Sequence, residues 1–103
     1  MLRRKTTFRY FQMTVDALNE CDIIFKKNLR IGHTPVGGWY LNDTVAINDA
    51  PDTDNLILNL IHEAWHHLRP TWKEGHIDKW SRKLFCEFST NDLKNLEKFL
   101  RRK

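Results

Sequence analysis

Residues 60–70 read LIHEAWHHLRP, three histidines and one glutamate in a segment otherwise suited to a buried helix. His62-Glu63-Ala64-Trp65-His66 is an HExxH sequence. Two helical residues four apart lie one turn from each other on one face, their Cβ atoms roughly 5–6 Å apart. Both imidazoles can therefore converge on a single zinc ion. Glu63 is rotated off that line, yet it can reach a water held by the same ion. There it would act as general base, the metal drawing the water's pKa towards neutrality.

With five histidines and five glutamates in 103 residues, a chance HExxH turns up in roughly one shuffled chain per hundred, so the surroundings have to add weight. They do. Ile57, Leu60, Ile61, Ala64, Trp65 and Leu68 make a broad apolar face, while Asn59, His62, Glu63 and His66 gather on the other. Residues 55–68 contain no lysine or arginine. A merely solvated face would carry some, so the polar side reads as a cavity wall.

A catalytic zinc takes three protein ligands and keeps one position open for water. His67 is about 100° round the helix from His66 and cannot easily join the same ion; it reads as a supporting or surface residue. The candidates for third ligand are His76, Glu74, Asp78 and the more distant His33. His76 is favoured over Glu74. It opens the next expected helix, where packing of Trp80 and Leu84 can aim it back at the pair, whereas Glu74 falls in the expected loop.

These side chains need elements to hold them. Phe8, Phe11, Val15 and Leu18 recur at helical spacing and predict a helix over about 6–20. DIIFKKN (22–28) is short and β-branched, a strand. GGWYL and TVAIN, separated by Asn42-Asp43, read as a hairpin over roughly 37–48. Asp52 and Asp54 suit the start of the HExxH helix, where a carboxylate accepts hydrogen bonds from free backbone amides. That helix should run from about 55 to 68 and stop before Pro70. A loop over 69–75 then leads to a helix over about 76–88. Ser89 and Asp92 form an acidic capping box opening a last helix, with Leu93, Leu96, Phe99 and Leu100 on one face. The expected class is α+β: an N-terminal helix, a small antiparallel or mixed sheet with a hairpin, the HExxH helix and two C-terminal helices.

From LIHEAWHHLRP through KEGHIDKWSRKL the chain resembles the SprT-like zinc metallopeptidases, the family that includes the Spartan DNA–protein crosslink proteases. Gly75-His76, with Trp80 four residues after the histidine, matches the family's Gly-His step beyond the HExxH helix. VGGWYLNDTVAIN looks like the family's hairpin ahead of that helix. The similarity covers about residues 34–85. It implies a zincin-like fold, Zn2+ bound by His62, His66 and His76, Glu63 as catalytic acid/base, and a protein or peptide substrate. The chain carries no separate zinc finger and no long basic tail, so crosslink repair in particular does not carry over.

In such an enzyme the substrate backbone pairs with a free sheet edge beside the metal. Strand 37–41 or strand 44–48 offers one, and Gly37-Gly38 either admits another backbone or serves a tight turn after Pro35. Tyr40, Arg69 and Arg82 are candidates to stabilise a tetrahedral oxyanion. Trp65 and Trp80 belong to packing faces.

With 41% apolar and 12% aromatic residues, the chain suits one domain, 1–103, built on one core. No apolar run is long enough to span a membrane and no leader is legible, so a cytoplasmic, intracellular protein is expected. Cys21 and Cys86 lack the spacing of a disulfide framework or zinc ribbon and are expected as reduced, mostly buried thiols. The formal charge of +4 sits at the ends. Arg3, Arg4, Lys5, Arg101, Arg102 and Lys103 take six of the seventeen basic residues, leaving eleven against thirteen acids between them, a net of −2. That basic fringe leaves nucleic acid as a second partner class. It also supports a rival reading, a non-catalytic zinc-stabilised binding module touching DNA through its ends, since a small core gains much from a structural metal. A metal-free helical binding domain is a third, and it requires the motif to be accidental.

Overall fold

The computed structural model describes residues 4–26, 30–31, 34–35, 38–48 and 52–101. Phe11, Thr14, Ala17 and Leu18 share one buried side of α1 (Arg4–Glu20). Helical spacing thus prevails over the weak alternation of the same stretch. The chain then enters β1 (Asp22–Lys26), a short antiparallel pair β2 (Arg30–Ile31) and β3 (Thr34–Pro35), and the hairpin β4 (Gly38–Leu41) and β5 (Thr44–Asn48). The β2–β3 pair has no signature in the sequence; two residues are too few to show a period. Asn42 and Asp43 sit at φ 50° and 61°. Asn and Asp tolerate this left-handed region, and such a turn matches the twist of the flanking strands.

The three-stranded sheet runs β1-β5-β4, with β1 parallel and β4 antiparallel to β5. It is mixed, and β5 is its centre. Val45, Ala46 and Ile47 of β5 are fully buried, so strand 44–48 offers no edge. β4 does.

Three helices follow: α2 (Thr53–Leu68), α3 (Glu74–Glu87) and α4 (Thr90–Glu97), the last continuing as a 3-10 turn over Lys98–Arg101. Asp52 caps α2, its side chain accepting from the amides of Asp54 and Asn55. Ser89 and Asp92 form the reciprocal capping box of α4. α3 begins at Glu74, two residues earlier than the sequence suggests, because Lys73 takes the extended N-cap conformation without a side-chain cap to mark it. This shift bears directly on the site.

One core cluster draws on α1, β5, α2, α3 and α4. Leu60, Ile61, Ala64 and Trp65 carry α2 into it, and Ile77 and Leu84 carry α3. Trp65, 1% exposed, donates from Nε1 to Thr14 Oγ1 at 3.0 Å. Thr14 in turn donates to the Tyr10 carbonyl at 2.8 Å, so a buried indole N–H and a buried hydroxyl are both satisfied. Trp80 packs edge-on against Tyr10, Trp65 and Trp72. Both tryptophans are packing residues, as expected. Cys21 is half-buried but Cys86 is exposed, contrary to expectation; both are free thiols. Among the described residues no helix is long and apolar enough to cross a membrane. His33, Gly37, the strand tail at 27–28 and the basic residues Arg3, Arg102 and Lys103 lie outside the described residues.

Candidate metal centre

Helix α2 presents two faces. The apolar one is locked onto the sheet and α1, which leaves the opposite wall turned towards α3 and β4. There His62 and His66, one turn apart, bring their Nε2 atoms to 3.1 Å, with ring centroids 4.8 Å apart. Ligand atoms of His62, Glu63 and His66 all lie within 4.8 Å of one another, a group able to hold a metal ion.

A fourth residue completes the arrangement. Glu74, in the first turn of α3, places Oε1 2.6 Å from His62 Nε2 and Oε2 2.8 Å from His66 Nε2. Three short contacts therefore join two imidazole nitrogens and one carboxylate. Each Nε2 carries at most one proton, so no protonation state makes all three contacts hydrogen bonds. A cation shared by the three groups would satisfy every one of them.

His76 is not in this group. Its exposed ring packs on Trp72, centroids 4.2 Å apart, and lines a different groove. The physical reason is the start of α3. With Glu74 rather than His76 opening the helix, positions 74 and 78 face α2, and position 76 is carried some 200° round from position 74. Asp78 follows Glu74 on that side, its Oδ1 3.9 Å from His62 Nδ1, beyond hydrogen-bond reach.

Glu63 is the buried acid of the site, 4% exposed, with Oε2 4.0 Å from His62 Nε2. Burial, reinforced by the nearby Glu74 carboxylate, pushes its pKa up to about 8. Burial also lowers the pKa of His66, against the opposing pull of Glu74. Gly38 makes room for this acid. A Cβ there would lie 2.6 Å from the Ala46 carbonyl oxygen and 3.4 Å from Glu63 Cγ. The close approach that Gly38 permits is thus that of its own sheet partner and the buried glutamate.

A cleft of about 790 Å3 contains these groups, lined by Gly38, Trp39 and Tyr40 of β4, by His62, Glu63 and His66, and by Glu74 and Asp78. Of the three oxyanion candidates only Tyr40 lines it. The Tyr40 hydroxyl donates to Asp43 at 2.8 Å and meets His67 Nδ1 at 2.8 Å. Arg69 lies over the Trp65 and Trp72 rings, and Arg82 donates to Asp78. His67 has the supporting place its angle suggests. Its Nε2 meets Glu20 at 2.8 Å, so it ties the end of α1 and the β4–β5 turn to α2. Beyond the doubled histidine nothing local marks that network, because its partners lie 27 and 47 residues away.

The chain matches no family model, no curated protein and no solved structure. The functional reading therefore stands on the site's own chemistry.

Proposed function

We propose that this protein is a zinc-dependent metallopeptidase of SprT-like character, with His62, His66 and Glu74 as the metal ligands and Glu63 as general base. The observation that carries the reading is the triangle of His62 Nε2, His66 Nε2 and the Glu74 carboxylate, with contacts of 2.6, 2.8 and 3.1 Å. Two imidazoles and a carboxylate are a zinc donor set, and it leaves a coordination position open. Zinc, when bound, supplies a Lewis acid that acidifies a water and polarises a carbonyl.

The chain's own residues supply the rest. Glu63 stands buried beside the His62 ring, and a cation beside it would restore the carboxylate that burial disfavours. As a carboxylate it takes a proton from the attacking water and passes it to the leaving amine. β4, paired only with β5 among the described residues, runs along the same cleft and can hold a peptide in extended form through its backbone.

Two measurements test the proposal. Protein purified without a histidine tag and never exposed to chelator should contain close to one equivalent of zinc. It should also cleave an unfolded protein, with Glu63→Gln retaining the zinc and losing about 10³-fold in rate. Zinc without turnover would favour the binding-module reading; less than about half an equivalent of zinc overturns both.

A further inference from the structure

The far flank of α3 carries a second concavity. Gly75, His76, Lys79, Trp80 and Lys83 line a groove of about 410 Å3. Lys79 and Lys83 are exposed and one turn apart, and among the described residues neither meets a carboxylate. Two cations left unneutralised in a concave site attract an anion more strongly than either would on open surface.

Gly75 is an independent pointer. It lies in the first turn of α3, where glycine is less favourable than alanine. A Cβ built on it meets nothing within 4 Å, so no neighbour inside the protein requires the missing side chain. Its chain neighbour Glu74 lines the metal cleft and Gly75 itself lines the basic groove. Along the chain, Gly75 thus joins a residue of the cleft to the residues of the groove, with no side chain at the step.

We infer that this groove is a subsite for an acidic side chain of the substrate. The peptide crosses Gly75 as it leaves the metal cleft and lays an aspartate or glutamate against Lys79 and Lys83, with exposed His76 as a further hydrogen-bonding group. The inference rests on the peptidase reading above. A peptide fits better than a nucleic acid for two reasons. The rings beside the groove are engaged in packing, Trp72 with His76 and Trp65, and Trp80 with Tyr10, Trp65 and Trp72, which leaves less aromatic surface on which to stack a base. The adjoining cleft also carries Glu63, Glu74 and Asp78, which would repel a polyphosphate continuing into it.

The test reads binding apart from turnover. Zinc-loaded Glu63→Gln protein is titrated against two fluorescent unstructured peptides, one with acidic residues on both sides of its centre and one with the corresponding amides. The acidic peptide should bind about tenfold more tightly at low salt, and the preference should shrink at high salt. Adding Lys79→Gln and Lys83→Gln should bring the ratio of the two affinities close to one. Gly75→Ala should raise the unfolding midpoint by roughly 2–5 °C while weakening the acidic peptide about fivefold, from the cost of one methyl group in a close contact. Equal affinities for the two peptides, an unchanged ratio in the double variant, or stronger competition from an oligothymidylate of equal charge would each overturn the inference. Cleavage by the wild-type protein without any acidic preference would sink the groove and leave the peptidase standing. Tight acidic-peptide binding that depends on Lys79 and Lys83, without cleavage, would keep the groove as an anion-binding site but sink the peptidase and, with it, the groove's role as a substrate subsite.

Discussion

Glu63 is an acid enclosed by an apolar strand and its own helix, with 5% of its side chain exposed. In the metal-free protein its pKa rises from 4.5 in the unfolded chain to about 8 in the fold. The folded state then holds a proton that the unfolded state releases. Its contribution to stability is complete below pH 4.5 and is lost progressively as pH climbs to and through 8, by up to about 5 kcal/mol. His66, whose pKa is lowered, acts oppositely and costs stability as pH falls below its unfolded value near 6.5. Comparing chelator-stripped wild type with Glu63→Gln cancels the histidine. The variant's advantage in urea unfolding should be near zero at pH 4.5 and grow steadily to pH 8; a flat difference would mean that Glu63 is not buried as described. The neighbouring carboxylate decides the ligand set. Glu74→Gln should lower zinc affinity at least about tenfold, whereas His76→Ala should leave zinc content unchanged, because its ring rests on Trp72. Zinc loss in His76→Ala, measured by metal analysis, would reverse that assignment.

The hairpin and α2 meet at a point where the sheet has no tolerance. A methyl group at Gly38 would stand 2.6 Å from the Ala46 carbonyl, which is backbone of the central strand and cannot swing aside. Gly38→Ala should therefore cost about 1–3 kcal/mol in denaturant unfolding and also weaken activity by shifting β4 against Glu63. A neutral result would show that β4 is not held as closely as this. Gly38 is an instance of what the sequence could and could not disclose. Its presence in a strand marked a close approach, but not whose. The HExxH helix, its aspartate cap, the Ser89–Asp92 box and the Asn42-Asp43 turn were legible because each depends on contacts within four residues. The parallel pairing of β1 with β5 was not, since a pairing across twenty-two residues leaves no local period. The same limit explains the placing of Glu74. Glu74 faces the histidines only because α3 starts at Glu74, and Lys73 gives no capping signal from which that start could be read.

At the scale of the whole molecule, α2 packs against α1, α3, α4 and both strands of the hairpin, and the candidate metal centre lies on its outer face rather than in the core. Leu60, Ile61, Ala64 and Trp65 are buried in the core without any contribution from an ion. Zinc would add a single tie, from the two histidines of α2 to Glu74 at the start of α3. This separates an enzyme built on a self-sufficient fold from a module whose fold exists only with its metal, because in the second case chelation unfolds the chain. The stripped protein should keep its helical circular dichroism and a cooperative thermal transition. Adding zinc to about a hundred times its dissociation constant should stabilise it by about 2.7 kcal/mol, since the ion binds the folded state alone. For a chain of this size that is a rise of roughly 10–20 °C in the unfolding midpoint. Magnesium, which prefers oxygen ligands, should give no comparable shift, and Glu74→Ala should abolish most of the zinc effect by releasing the tie to α3. Loss of the cooperative transition on chelation would make the metal structural. A zinc shift that survives Glu74→Ala would place the third ligand elsewhere.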